Sequence, residues 1–343
     1  MKILWTGSHG FIAGYAIEKL LENGHVVYGV DNFWKYGKVS KSFDNHENFH
    51  FTEGDAKDVD LLKNIIVEND IEIFVAGAAI IGGIAMFHEL AYDIIAENEK
   101  LTCAAFDACI YAYNKENSTL RKIVVISSSM VFENTDSFPS KESDLIKCPA
   151  PSSTYGFQKL STEYFAKGAY LQYGLPYTIV RPFNAVGIGE KRSNTGHEIF
   201  SGNIKLCMSH VLPDLVLKIY KGQNPVHILG NGNQVRHYTY AGDLAEAIIK
   251  CMFSDEALND DFNLSYPQGH SVLELADAVW KFMGKEGNVP IIQDKAYTWD
   301  VQKRIPDVSK ARNILGIECS TSLEDSLKEI IPWITEQIEL GTI

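Results

Sequence analysis

The run LWTGSHGFIAG, Leu4 to Gly14, places Gly7 and Gly10 between an apolar segment and a helix-forming one. That arrangement commits the chain to a strand, a tight turn and a helix, because glycine turns the backbone there without steric cost. The alternation then repeats. HVVYGVDN reads as a second strand. FHFTEGD leads into a helix through DVDLLKNIIVEN, and IEIFVAGAA into a long helix over 91–113. RKIVVISSS leads into a helix over 153–173, and PYTIVRPFN closes the series. The strands are apolar along their length instead of alternating, so both of their faces are buried. The pattern predicts an α/β fold, a doubly wound parallel sheet with helices on both faces. In such sheets ligands bind beyond the carboxyl ends of the strands.

Beyond Asn184 the pattern changes. Glycine and polar residues fill AVGIGEKRSNTGHE, a helix is predicted through HVLPDLVLKIYKG and a short strand at PVHILG. RHYTYAGDLAEAIIKCMF turns from strand into helix, and SVLELADAVWKFMG and SLEDSLKEIIPWITEQI read as amphipathic helices. We expect a first domain over 1–184, with 235–252 packing back on it, and a smaller α/β lobe over 185–343. A chain of 343 residues with 45% hydrophobic content can bury cores of this size. Its net charge of -13 argues against a nucleic-acid partner, which needs a basic footprint. A small anionic ligand needs only a few local cations and a helix N-terminus. The six cysteines (103, 109, 148, 207, 251 and 319) are scattered without a C-x-x-C. That speaks against a metal site or a disulfide framework and for reduced thiols in a cytoplasmic protein. Cys103 and Cys109 are expected in the core. MKILWTG enters a strand at once and leaves no room for a signal peptide. IFVAGAAIIGGIAMF is too short and glycine-rich to span a membrane.

The glycine turn also has a chemical reading. Gly7 and Gly10, with Ala13 in the third place of G-x-x-G-x-x-[GA], let the backbone approach a pyrophosphate at a helix N-terminus. Asp31 ends the second strand, where a carboxylate bonds ribose hydroxyls and repels a 2′-phosphate, so NAD is favoured over NADP. Asp55 follows the third strand and is placed to accept from adenine. The alternative for both aspartates is a turn or cap. SSTYGFQKLSTEYF sets Tyr155 four residues ahead of Lys159, so the two share a helix face. A neighbouring ammonium favours the phenolate, which suits the pair to moving a proton to or from a hydroxyl near neutral pH. The serines of ISSSMVF either cap the following turn or hold the oxygen that loses its proton.

Taken in order, T-G-x-x-G-F-I-A, Asp31, GDAKD, VAGAA, SSS, Y-x-x-x-K, RPFN and VRHYTYAGDLA resemble the extended short-chain dehydrogenase/reductases. They most resemble the nucleotide-sugar epimerase and dehydratase branch, over nearly the whole chain. The resemblance implies a Rossmann-type sheet, NAD as cofactor and a nucleoside diphosphate sugar as substrate, with no metal. It implies Tyr155 as catalytic base and acid, Lys159 as the group that lowers its pKa and binds the nicotinamide ribose, and Ser128 as the catalytic serine. Cofactor contacts are then expected from Gly7, Gly10, Phe11, Ile12, Asp31, Asp55, Ala56, Ala78, Tyr155 and Lys159. Substrate contacts are expected from Ser128, Ser129, Asn184, His210, Arg236 and Arg304, the arginines through a planar fork that suits phosphate oxygens. Val226 to Ile228 are placed to present backbone groups to the nucleobase.

Ser129 and Met130 stand where the branch's dehydratases resemble Asp-Glu, and neither can serve water loss. Met130 also stands where GDP-mannose 3,5-epimerases and GDP-fucose synthases resemble a catalytic Cys, and a thioether cannot supply that proton. AAIIGGI and SHVLPDL nevertheless resemble those enzymes, with His210 in an acid's place. Otherwise His210 starts or packs a helix. The expectation is an NAD-dependent nucleotide-sugar epimerase acting at C4 through a transient 4-keto sugar. The alternatives are a GDP-sugar 3,5-epimerase, a 4-keto-sugar reductase and a non-catalytic dinucleotide-binding protein. The outer faces of the helices over 91–113 and 153–173, with Phe106, Tyr164 and Tyr170, are expected to pair in a homodimer, as in the resembled family.

Overall fold

The structure, a computed structural model, describes residues 1–193, 198–207, 210–297 and 300–343. Its first half runs β1 (Lys2–Thr6), α1 (Phe11–Glu22), β2 (Val26–Asp31), β3 (Phe49–Glu53), α2 (Val59–Glu68), β4 (Ile73–Ala76), α3 (Ile84–Glu89), α4 (Ala91–Tyr113), β5 (Lys122–Ile126), α5 (Thr154–Tyr173) and β6 (Tyr177–Pro182). The second half begins with the short strands β7 (Ala185–Val186), β8 (Phe200–Ser201) and β9 (Ile204–Lys205). It continues with α6 (Val211–Tyr220), β10 (Val226–Leu229), β11 (Val235–Arg236), β12 (Thr239–Tyr240), α7 (Ala241–Phe253) and β13 (Asp260–Leu264). It ends with β14 (His270–Ser271), α8 (Val272–Phe282), β15 (Ile291–Asp294), α9 (Ser309–Leu315) and α10 (Leu323–Glu339).

Seven strands form the central sheet in the order β13-β6-β5-β4-β1-β2-β3. Every pairing in it is parallel. Ile3 and Leu4 of β1 are fully buried because helices cover both faces. On one face α1 and α7 bury Ile17, Leu20, Leu244 and Ile248. On the other, α2, α4 and α5 bury Leu62, Ile66, Ala105, Ala108 and Ala166. Each fully buried Leu or Ile contributes about 1.5–3 kcal/mol. A separate core joins α6, α8, β10 and α10 through Leu215, Ile228, Leu275 and Ile330.

Several details depart from the sequence reading. The seventh strand, β13, was not anticipated. Its DDFNL sequence opens with two aspartates, yet Phe262, Asn263 and Leu264 are buried once β13 pairs with β6. The short helix α3 precedes α4, separated from it at Leu90. β5 ends at Ile126, so the serines lie in the turn beyond it, with a 3-10 helix over Ser129–Phe132. Cys109 is buried, but Cys103 is exposed and not a core residue. Phe106 does not face outward: it is 2% exposed and packs on Phe165. Tyr164 and Tyr170 are exposed. Among the described residues no helix is long and apolar enough to cross a membrane, and no group of three or more His, Cys, Asp or Glu could hold a metal ion.

Candidate active site

A cavity of about 700 Å³ opens at the carboxyl ends of the sheet strands and is closed on its other side by α6 and β10. Each of Gly7, Gly10, Phe11, Ile12, Asp31, Asp55, Ala56, Ala78, Ser128, Ser129, Tyr155, Lys159, Asn184, His210, Arg236 and Arg304 lines it.

The glycine turn forms one wall. Gly7 has φ +73°, and its N–H donates to Val30 O at 2.8 Å. A Cβ there would stand 2.9 Å from Ala78 Cα, so no other residue fits without displacement. Gly10 N–H donates to Gly7 O at 3.0 Å, and α1 follows with no side-chain cap. Its first amides are thus left pointing out of the turn. Asp31 braces the turn: Oδ2 accepts from His9 N–H at 2.9 Å and Oδ1 from Phe33 N–H at 2.7 Å. Gly77 and Ala78 both donate to Thr6 Oγ1 at 3.2 Å, holding β4's end against β1's. Asp55 accepts from Lys57 N–H at 2.9 Å, a turn contact, while Ala56 beside it is buried.

Tyr155 sits in the first turn of α5. Ser153 caps that helix by accepting from Gly156 N–H, and Gly174 ends it in the left-handed conformation at φ +71°. The Tyr155 ring is 2% exposed and lies parallel to Phe87, with centroids 4.5 Å apart and planes 13° apart. Ser128 stands beside its hydroxyl and favours the phenolate. Ser128 Oγ in turn accepts from Met130 N–H at 3.2 Å. Lys159 is one turn on, donating from Nζ to Ile126 O at 2.8 Å. Its Nζ lies 5.9 Å from the Tyr155 ring centroid.

The electrostatics correct the sequence reading at this point. Burial pushes the Tyr155 phenol up to about 12, opposed by Ser128 and the charge of Arg304. In this chain the cation that favours the phenolate is Arg304, and Lys159 is itself drawn down to about 8 by burial, opposed by Glu163. Its ammonium is turned to the Ile126 carbonyl.

The opposite wall is polar and assembled from distant segments. Arg236 donates from Nη2 to Asp300 Oδ1 at 3.2 Å, and Gln234 donates to the other Asp300 oxygen at 2.7 Å. Arg304 donates from Nη1 to Ser129 Oγ at 3.4 Å, and its buried Nε has no partner among the described residues. Burial and the neighbouring Arg236 lower the Arg304 pKa to about 9, against the attraction of Asp300, Glu133 and Tyr155. Asn184 holds φ +34°, which Asn tolerates better than most residues, and its buried Oδ1 lacks a partner among the described residues. His210 is the N-cap residue of α6, and its backbone N–H donates to Glu190 Oε1 at 3.0 Å. Its ring Nδ1 also bonds that oxygen. Glu190 is 2% exposed; burial raises its pKa, but the His210 pair outweighs that and leaves it lowered. Val226 and His227 of β10 pair with Ile291 and Ile292 of β15. It is Ile228 and Leu229 that line the cavity.

Sequence reasoning missed Phe87, Glu190 and Asp300, because each acts through a partner far away in the chain. It also missed Asp214 and Lys218, which line the cavity from α6. Their spacing in VLPDLVLK, four residues apart on an otherwise apolar helix, was the available signal.

The model of the NAD dependent epimerase/dehydratase family matches residues 3–265. The chain belongs to this family. A putative UDP-glucose 4-epimerase of Methanocaldococcus jannaschii is 28% identical over 333 residues, covering 97% of this chain and 98% of the relative. A UDP-N-acetyl-alpha-D-glucosaminuronate decarboxylase of Bacillus cytotoxicus is 27% identical over 342 residues, covering 98% of each. The solved structure of the Thermotoga maritima UDP-glucose 4-epimerase with UDP-glucose superposes with a TM-score of 0.81 at 27% identity, covering 98% of this chain and 100% of that one. The family is NAD-dependent, and the residues present fit that cofactor. A Cβ at Gly7 would fill the cradle above Ala78, the first amides of α1 lack a side-chain cap, and a carboxylate stands at the end of β2.

Proposed function

We propose that this family member is a nucleotide-sugar epimerase that inverts C4 of a nucleoside diphosphate sugar through a transient 4-keto sugar. The observation that carries the reading is the buried Tyr155, beside Ser128 inside a cavity bounded by the glycine turn on one side and Arg236 and Arg304 on the other. Gly7, Gly10, Phe11, Ile12, Asp31, Asp55, Ala56 and Ala78 would hold NAD, with Lys159 on its ribose. NAD when bound supplies a hydride acceptor and donor for the sugar carbon. Ser128 holds the C4 hydroxyl. Tyr155 takes its proton and later returns it, and the Arg304 charge steadies the phenolate between the two events. Arg236 and Asn184 anchor the diphosphate, which lets the sugar turn while the nucleotide stays fixed. The apolar cover of Phe87 and Met130 over Tyr155 keeps water from the ring.

One observation favours a second reading. His210 lines the same cavity with Nδ1 held by a buried carboxylate, the arrangement that orients a histidine for proton transfer. That suits epimerisation at C3 or C5, or reduction of a 4-keto sugar. Incubating the NAD-loaded enzyme with UDP- and GDP-hexoses in D₂O separates the readings by NMR. A C4 epimer without carbon-bound deuterium is the expected product. Deuterium at C3 or C5, or stoichiometric consumption of NADH when it is supplied together with a nucleoside diphosphate 4-keto sugar, transfers the assignment to the second reading.

We also propose that α4 and α5 pair in a homodimer. Tyr92 is 79% exposed on α4, and Tyr164 and Leu171 are 67% and 84% exposed on α5. Light scattering should give twice the chain mass, and Leu171→Glu should halve it.

A further inference from the structure

We propose that Glu163 is a positioning residue for catalysis, the buried carboxylate that holds Lys159 in its ammonium form. The proposal rests on the role given above to Lys159. Glu163 lies on α5 one turn beyond Lys159 and is completely buried. Its Oε1 accepts from Ser127 Oγ at 2.6 Å and from Arg181 Nε at 2.8 Å, and its Oε2 from Arg181 Nη2 at 2.7 Å. These bonds tie α5 to two strand ends of the site, those of β5 and β6. Ser127 is the residue before Ser128, Arg181 lies near the end of β6 just before Asn184, and Lys159 bonds the carbonyl of Ile126.

The charges around this point alternate. Lys159 is followed by Glu163, Arg181, Asp261 and Lys310, with Arg181 bonded to Asp261 and Lys310 3.2 Å from the same carboxylate. Asp261 draws on the Arg181 charge from the far side, so Arg181 does not cancel Glu163 alone. Lys159 meets little else that could stabilise its charge. Its own helix presents Tyr155, and β5 presents the Ile126 carbonyl and Ser127. A small void on its far side is lined by the uncharged Thr6, Asn98, Thr102 and Gln158. From β6 comes Arg181, a like charge. Glu163 is therefore the nearby anion among the described residues, and burial of Lys159 without it favours the neutral amine. A buried Glu–Arg pair is in general replaceable by apolar residues without loss of stability. Its placement beside the lysine gives it a purpose that packing alone does not.

The test is an NMR titration of ¹³Cε-labelled lysine in the intact chain, with the Lys159 signal assigned from Lys159→Met. It needs no substrate, so its outcome is separate from that of the epimerase reading. In Glu163→Gln the Lys159 pKa should fall by on the order of one unit. In Asp261→Asn it should fall by less, because Arg181 then commits wholly to Glu163. Asp261 has a side chain 21% exposed, and Lys310 keeps Asp260 as a partner at 2.5 Å, so this variant disturbs the fold less than Glu163→Gln, at a fully buried residue. The high-pH limb of the rate profile should shift the same way in both variants. An unchanged or raised Lys159 pKa in Glu163→Gln overturns the proposal, and where that variant does not fold the same result in Asp261→Asn overturns it. A Lys159→Met enzyme with full turnover sinks the role of Lys159 instead.

Discussion

The two walls of the cavity are built differently. The cofactor wall comes from short unbroken stretches. Gly7 to Phe11, Asp31, and Tyr155 with Lys159 each take their position from the strand end or helix they belong to. The substrate wall comes from segments that meet only in the folded chain. Arg236 is set by Asp300, Arg304 reaches Ser129, and His210 is held by Glu190. A local wall has its geometry fixed by backbone and tolerates few substitutions. An assembled wall has its geometry fixed by side-chain pairing, so its charges are already engaged, and a partner's loss is felt at a distance.

The largest effect should come from the local wall. Tyr155→Phe keeps the ring against Phe87 and removes only the hydroxyl. Turnover should fall by roughly 10² to 10⁴, the usual worth of general acid-base catalysis, with the melting temperature and NAD affinity unchanged. Near-normal turnover would show that the proton travels through the assembled wall, with His210 next to be tested.

Gly7→Ala probes the same wall through the backbone. The new Cβ would stand 2.9 Å from Ala78 Cα at a positive φ. Strain of this kind costs about 1–3 kcal/mol, equivalent to roughly a tenfold or greater loss of NAD affinity. Calorimetry that found parental affinity would mean that the turn relaxes more easily than a local wall should.

Arg236→Lys tests the assembled wall. Lysine keeps the charge but loses the fork that reaches Asp300 and a diphosphate together. Binding of the nucleoside diphosphate should weaken by about tenfold, the scale of one charge-assisted hydrogen bond, while NAD binding stays as it was. Equal losses for both ligands would erase the distinction between the walls.

The smallest effect is on stability. The folded pKa of Glu190 lies below its unfolded value of about 4.3. Its carboxylate therefore stabilises the fold above that unfolded value, and the contribution is lost as pH falls through the lower folded value. Glu190→Gln should lose stability at neutral pH and show a flatter fall in urea midpoint on acidification than the parent. Parallel curves would mean that folding does not lower the Glu190 pKa.

Much of this protein was legible in order along the chain. Apolar runs between glycine turns and amphipathic segments specify β1 to β6 and their helices, because both signals are local: a strand buried on two faces has no polar residue to hide. The glycine turn, Asp31 and the Tyr155–Lys159 spacing are legible for the same reason, since a helix puts residues four apart on one face whatever surrounds it. Other features had no local signal. β13 becomes a strand only where β6 offers an edge, and α3 is too short to show a period. Phe106 belongs to the core because Phe165 meets it there.

The sequence by itself determined which residues could do chemistry and which element carries each. Tertiary structure decided their charge states, because ionisation depends on burial and on neighbours that the chain order does not reveal. The spacing of Tyr155 and Lys159 predicts a lowered phenol pKa, yet burial raises it to about 12 and turns the lysine to the Ile126 carbonyl. The cation that favours the phenolate, Arg304, lies far along the chain from Tyr155. Only the packing of the later chain against the sheet's carboxyl ends brings the two into one cavity.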